Sequence, residues 1–99
     1  MATFIALLDF TEKGIQGLKD SPHRADQFTE MAEKAGAKVV GQYWTIGSHD
    51  GVLILDAPND EIASSILLAL GASGNVRTTT LRAFEWAEAQ GLIEKLDPS

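Results

Sequence analysis

Few residues in this 99-residue chain have a type and spacing suited to chemistry, and they gather in two places. The first is Tyr43-Trp44-Thr45, followed by the glycine-bounded run Gly47-Ser48-His49-Asp50-Gly51. A histidine beside a carboxylate invites a general acid–base reading, because imidazole titrates near neutrality and a carboxylate orients it. In a tight loop, however, aspartate more often accepts from nearby backbone N–H groups and shapes the turn, and that is the role expected of Asp50. The second place is Asn75 to Phe84, where Thr78, Thr80 and Arg82 alternate and therefore share one face of an extended strand. Arg77, five positions before Arg82, points to the opposite face. If the face bearing Tyr43 and Thr45 and the face bearing Thr78, Thr80 and Arg82 line one cavity, with His49 beside them, a small anionic or phenolic ligand would meet hydroxyls and a guanidinium. The plainer expectation is an ion pair for Arg82, packing for Tyr43 and Trp44, and threonines chosen for a pleated surface.

Other chemistries lack their raw materials. The chain has no cysteine, which removes disulfides, thiolate nucleophiles and sulfur-ligated metals together. Its two histidines, His23 and His49, show no metal-binding spacing, so neither a metal nor a cofactor is expected. His23 falls in the first turn of a helix beside Arg24 and reads as a surface residue, while Asp56, Asp60 and Glu61 read as a strand end and a helix start. The net charge of -6 opposes binding to phosphate backbones, whose affinity comes from lysine and arginine. No apolar stretch approaches the ~20 residues that span a bilayer, and the N-terminus lacks a basic leader, so a cytoplasmic protein without membrane attachment is expected. With 44% hydrophobic and 22% charged residues, the chain has the composition of one folded domain over 1–99.

The elements that must position these residues are legible from periodicity. Residues 3 to 10 form an apolar run too short for a helix, which predicts a strand buried on both sides. Thr11 caps one or two irregular turns weakened by Gly14 and Gly17. Ser21-Pro22 starts a helix with the apolar stripe Ala25, Phe28, Met31, Ala32 and Ala35, and Gly36 ends it. Residues 37 to 46 and 51 to 57 predict a strand pair joined by the glycine-bounded loop. Asn59 or Asp60 caps a second helix whose stripe is Ile62, Ala63, Ile66, Leu67 and Leu70. Residues 75 to 84 give a fourth strand, and a tail helix follows from about Glu85 to Leu96, where Trp86 is suited to an interface.

The order is that of the α+β, ferredoxin-like βαββαβ fold with a C-terminal helix and a four-stranded antiparallel sheet. Right-handed crossovers put both main helices on one face of the sheet and leave the other bare. A face in contact with water would alternate cleanly between apolar and polar residues. Here Phe4, Ala6 and Leu8 alternate with Ile5 and Leu7, and Val52 and Ile54 with Leu53 and Leu55. A second copy of the chain, sheet facing sheet, is the economical cover, so the protein is expected to be a homodimer or a higher homo-oligomer.

Four motifs, Phe10-Thr11-x-x-Gly14-Ile15, Lys19-Asp20-Ser21-Pro22-x-Arg24, Tyr43-Trp44-Thr45-x-Gly47 and Asn75-Val76-Arg77-Thr78-x-Thr80-Leu81-Arg82-Ala83-Phe84, resemble the GYD domain family of small bacterial proteins. Their order over nearly the whole chain is more specific than any one of them. His49 stands where the Gly-Tyr-Asp element that names the family has tyrosine, so a role for that hydroxyl does not carry over. The resemblance implies a dimeric α/β barrel, in which two ferredoxin-like units close their sheets around a central cavity. It specifies no activity. A small-molecule-binding or assembly module is therefore preferred, over a cofactor-independent oxygenase or isomerase whose site would lie in the dimer cavity.

Overall fold

A computed structural model describes residues 1–96. Strand β1 spans Ala2–Phe10. The short helix α1, Glu12–Gln16, follows with Thr11 as its cap, the hydroxyl accepting from the Gly14 N–H at 3.2 Å. After a 3-10 turn at Leu18–Asp20 come helix α2 (Ser21–Lys34), strands β2 (Lys38–Trp44) and β3 (Gly51–Ala57), helix α3 (Asp60–Ala72), strand β4 (Val76–Ala83) and helix α4 (Trp86–Glu94). The sheet order is β2-β3-β1-β4 and every pairing is antiparallel, as in a ferredoxin-like fold.

Register decides which residues share a face. Phe4 lies opposite Leu55 on one side and Arg82 on the other, and Ala6 opposite Leu53 and Thr80. These rows belong to the helix-bearing side, where Phe28 and Ala32 of α2 and Ala63, Ile66 and Leu67 of α3 close a core over Phe4, Ala6, Leu53, Leu55 and Ala57. The next rows, Ile5 with Ile54 and Leu81, and Leu7 with Val52 and Thr79, face away from both helices. No element of the chain covers them, and they are shielded only by one another: Ile5, Leu7, Val52 and Ile54 are half-buried, and Leu81 is exposed.

Local signals explain most boundaries. Asn59 caps α3 by accepting from the Ile62 N–H at 2.9 Å, and Gly36 and Gly74 take the positive φ that turns the chain after α2 and α3. Ser21 departs from expectation. It is the first residue of α2 rather than its cap, and its hydroxyl instead accepts from the Trp44 indole Nε1 at 2.9 Å, which ties the helix start to β2. In β2 a bulge falls between Val39 and Gly41, so Val39 faces the helices while Gly41 and Tyr43 face away.

The tail helix α4 packs on no other element beyond isolated contacts. Glu88 accepts from the Glu85 N–H at 3.1 Å, which fixes the start of the helix. Beyond it the axis leaves the body, and Trp86, Leu92, Ile93 and Leu96 are all exposed, Trp86 by 79%. The molecule is accordingly long, at 56 × 31 × 18 Å, with a radius of gyration of 15.2 Å. A compact chain of this length has about 13 Å. Among the described residues, no helix is long and apolar enough to cross a membrane.

Candidate functional site

The sequence candidates separate into two groups on opposite sides of the sheet. Tyr43, Thr45 and His49 belong to the β2–β3 hairpin. Thr45 closes its tip, donating its hydroxyl to the His49 carbonyl at 2.6 Å and its N–H to the Asp50 carbonyl at 3.0 Å. The His49 imidazole turns from Asp50 to another strand, where its Nδ1 lies 3.1 Å from Asp9 Oδ1 at the end of β1. Asp50 does bind backbone, but not locally: its Oδ2 accepts from the Phe10 N–H at 2.8 Å, forty residues away. The Tyr43 ring folds back over Gly41, where an added Cβ would come within 2.9 Å of it, and remains exposed on the helix-free face.

Thr78, Thr80 and Arg82 take the other side, in register with Leu8, Ala6 and Phe4. Arg82 makes no ion pair among the described residues. Its guanidinium lies over the Phe84 ring, 4.3 Å from the centroid, and 5.6 Å from that of Phe4, and it donates to the backbone carbonyls of Thr3 and Ala83. Stacking and carbonyl contacts of this kind hold an edge in place. Within one copy of the chain, therefore, Arg82 does not meet Tyr43 or His49, and what the hairpin offers by itself is a phenol and a histidine–carboxylate pair on the bare face.

A second constellation escaped the sequence reading. At the corner where α1, the 3-10 turn and α2 meet, Arg24 donates from Nη1 to the Gly17 carbonyl at 2.7 Å. Gln42 of β2 reaches α2 through the Thr29 hydroxyl at 2.9 Å, beside the Trp44–Ser21 link. These groups rim a cavity of about 300 Å³ between the helices and the sheet. The same corner is braced from the far strand: Thr11 donates its N–H to the Asn75 carbonyl at 3.0 Å and its hydroxyl to that of Gly74 at 2.6 Å. Gly14 lies so near that a Cβ there would fall 2.0 Å from the Asn75 oxygen. The one available signal was the spacing Ser21-Pro22-x-Arg24, which placed a cation in the first turn of α2.

The chain matches the GYD domain family over residues 4–93. It belongs to that family. The glycines and threonines of its motifs are the ones that clamp the first corner to β4, so the resemblance rests on residues with structural work in this fold. Among curated proteins, this GYD chain is 33% identical over 89 residues to the glutamine synthetase and cystathionine beta-lyase binding protein of Thermus thermophilus, with 89% of this chain and 94% of that protein covered. Among solved structures it is similar to the crystal structure of TTHA0845 from Thermus thermophilus, with a TM-score of 0.55 and 22% identity over 86% of this chain and 95% of that one. The latter likeness bears on the fold alone, which the two share.

Proposed function

We propose that this GYD protein is a homodimeric assembly module that holds an enzyme as its partner. The observation that carries the reading is α4: a helix with a fixed start that leaves the body and presents Trp86, Leu92, Ile93 and Leu96 to solvent. Large apolar side chains in a continuous patch mark interaction surfaces, and an amphipathic helix laid into a partner's groove is a recurrent mode of recognition. The relative's printed name, a binding protein for two enzymes, supports a protein partner here. The bare rows Ile5, Leu7, Val52, Ile54 and Leu81 support pairing of two copies, sheet to sheet, with each α4 left to the partner.

A small phenolic or anionic ligand between the paired sheets, beside Tyr43, Thr45 and His49, fits the same arrangement as an accessory of assembly. Catalysis is the weaker reading. His49 and Asp9 form a base with an orienting carboxylate, but Arg82, the cation that would stabilise developing negative charge, lies on the other face of the sheet. The test of the assembly reading is direct binding of the purified chain to glutamine synthetase and to cystathionine beta-lyase from the same organism, followed by sedimentation velocity. A complex with either enzyme is expected, and the double variant Trp86→Ser/Ile93→Ser should lose it while keeping its helical circular dichroism. Binding unaffected by that variant, or none to either enzyme, would overturn the proposal.

A further inference from the structure

The cavity between α2, α3 and the sheet has walls of Leu8, Phe28, Met31, Leu53, Leu70 and Val76. Into this apolar lining the fold places one basic residue, Arg24. Its Nη1 is satisfied by the Gly17 carbonyl, but Nη2 is buried and meets no acceptor among the described residues. A guanidinium does not escape by losing its proton, because its pKa is far above any physiological pH. An unpaired buried donor on a charged group is among the most unfavourable features a fold can retain. No carboxylate of the described chain relieves it: Asp50, the acidic residue of the lining, is engaged with the Phe10 N–H. The first turn of α2 holds no acidic side chain either, so the positive end of that helix adds to the field.

We infer that this cavity binds a small carboxylate with an apolar tail, the carboxylate on Arg24 Nη2 and the tail among Phe28, Leu53, Leu70 and Val76. Arg24 supplies the charge-assisted hydrogen bond that fixes orientation, and the aliphatic and aromatic walls supply affinity. A monoanion suits the site better than a phosphate dianion, because the Gly17 carbonyl and Asp50 already place negative charge at its rim. The volume of about 300 Å³ stands at the small end of ligand sites and selects a medium-length tail. The site lies on the helix-covered side, away from the bare sheet face, and does not depend on the assembly reading.

Trp44 reports on the site, since it lines the cavity and its indole is held by Ser21; Trp86→Phe removes the other tryptophan of the chain. Octanoate titrated into the full-length Trp86→Phe protein should change Trp44 fluorescence saturably, below the concentration at which octanoate aggregates. The alcohol 1-octanol should bind roughly tenfold more weakly or worse, the loss of one charge-assisted hydrogen bond. Arg24→Gln should bring octanoate down to the level of octanol. Ala69→Trp, at an exposed lining position, should block both ligands without touching the core, and it keeps the test decisive should Arg24→Gln fail to fold. Equal binding of octanoate and octanol to the unmodified cavity, no saturation, or full octanoate binding by Ala69→Trp would each overturn the inference.

Discussion

The two faces of β1 are made of the same kind of residue and have opposite fates. Phe4 and Ala6 point toward the helices and are 8% and 1% exposed, while Ile5 and Leu7 between them point away and stay half-buried. Strand chemistry alone does not separate them: both rows are apolar, and both pair in register with β3 and β4. What differs is the third dimension. One row meets Phe28, Ala32, Ala63 and Ile66, and the other meets nothing within its own chain. The covered face holds the protomer together, and the bare face has its apolar surface still to bury, which is a driving force for association rather than for folding.

Substitutions sharpen that contrast, beginning with the covered face. Leu53, fully buried, should lose about 2–5 kcal/mol of stability on truncation to alanine, read from urea unfolding of the dilute protein. Gly14→Ala comes next, at about 1–3 kcal/mol, because its new Cβ meets backbone rather than a yielding side chain. Equal stability of this variant and the parent would mean that the α1–β4 clamp is looser than described. Removing the cap of α3 with Asn59→Ala should lower the unfolding free energy by about 1 kcal/mol. On the bare face, Leu81→Lys should change the stability of the dilute protomer by only about 0.5 kcal/mol, since the residue is already exposed, and yet abolish self-association. If instead it unfolds the dilute protein, the bare face belongs to the folding core and the contrast fails.

The same contrast explains what was legible in the sequence. That both faces of β1 and β3 are apolar was visible as soon as Phe4, Ile5, Ala6 and Leu7 were read as a strand, and the cap at Asn59 follows from residue type alone. Which way Tyr43 points was not, because the bulge between Val39 and Gly41 inverts the alternation in β2 and leaves no sequence mark. A one-residue change of parity moves Tyr43 from the side of Thr80 and Arg82 to the other, and with it the idea of a single shared site. Ser21 looked like a helix cap because nothing local revealed Trp44, which lies 23 positions along the chain and takes the hydroxyl instead. Arg24 was visible as a cation, but its buried nitrogen depends on Gly17, on the α1 corner and on the sheet beneath, and only the assembled fold brings these together.

The most direct test of the account is the mass of the unmodified protein in solution, measured by sedimentation equilibrium over a wide concentration range. A species of twice the 10.6 kDa protomer mass, returning to the protomer in Leu81→Lys, is the predicted result. A single 10.6 kDa species at every concentration would contradict it, leaving the apolar rows around Ile5 and Ile54 uncovered.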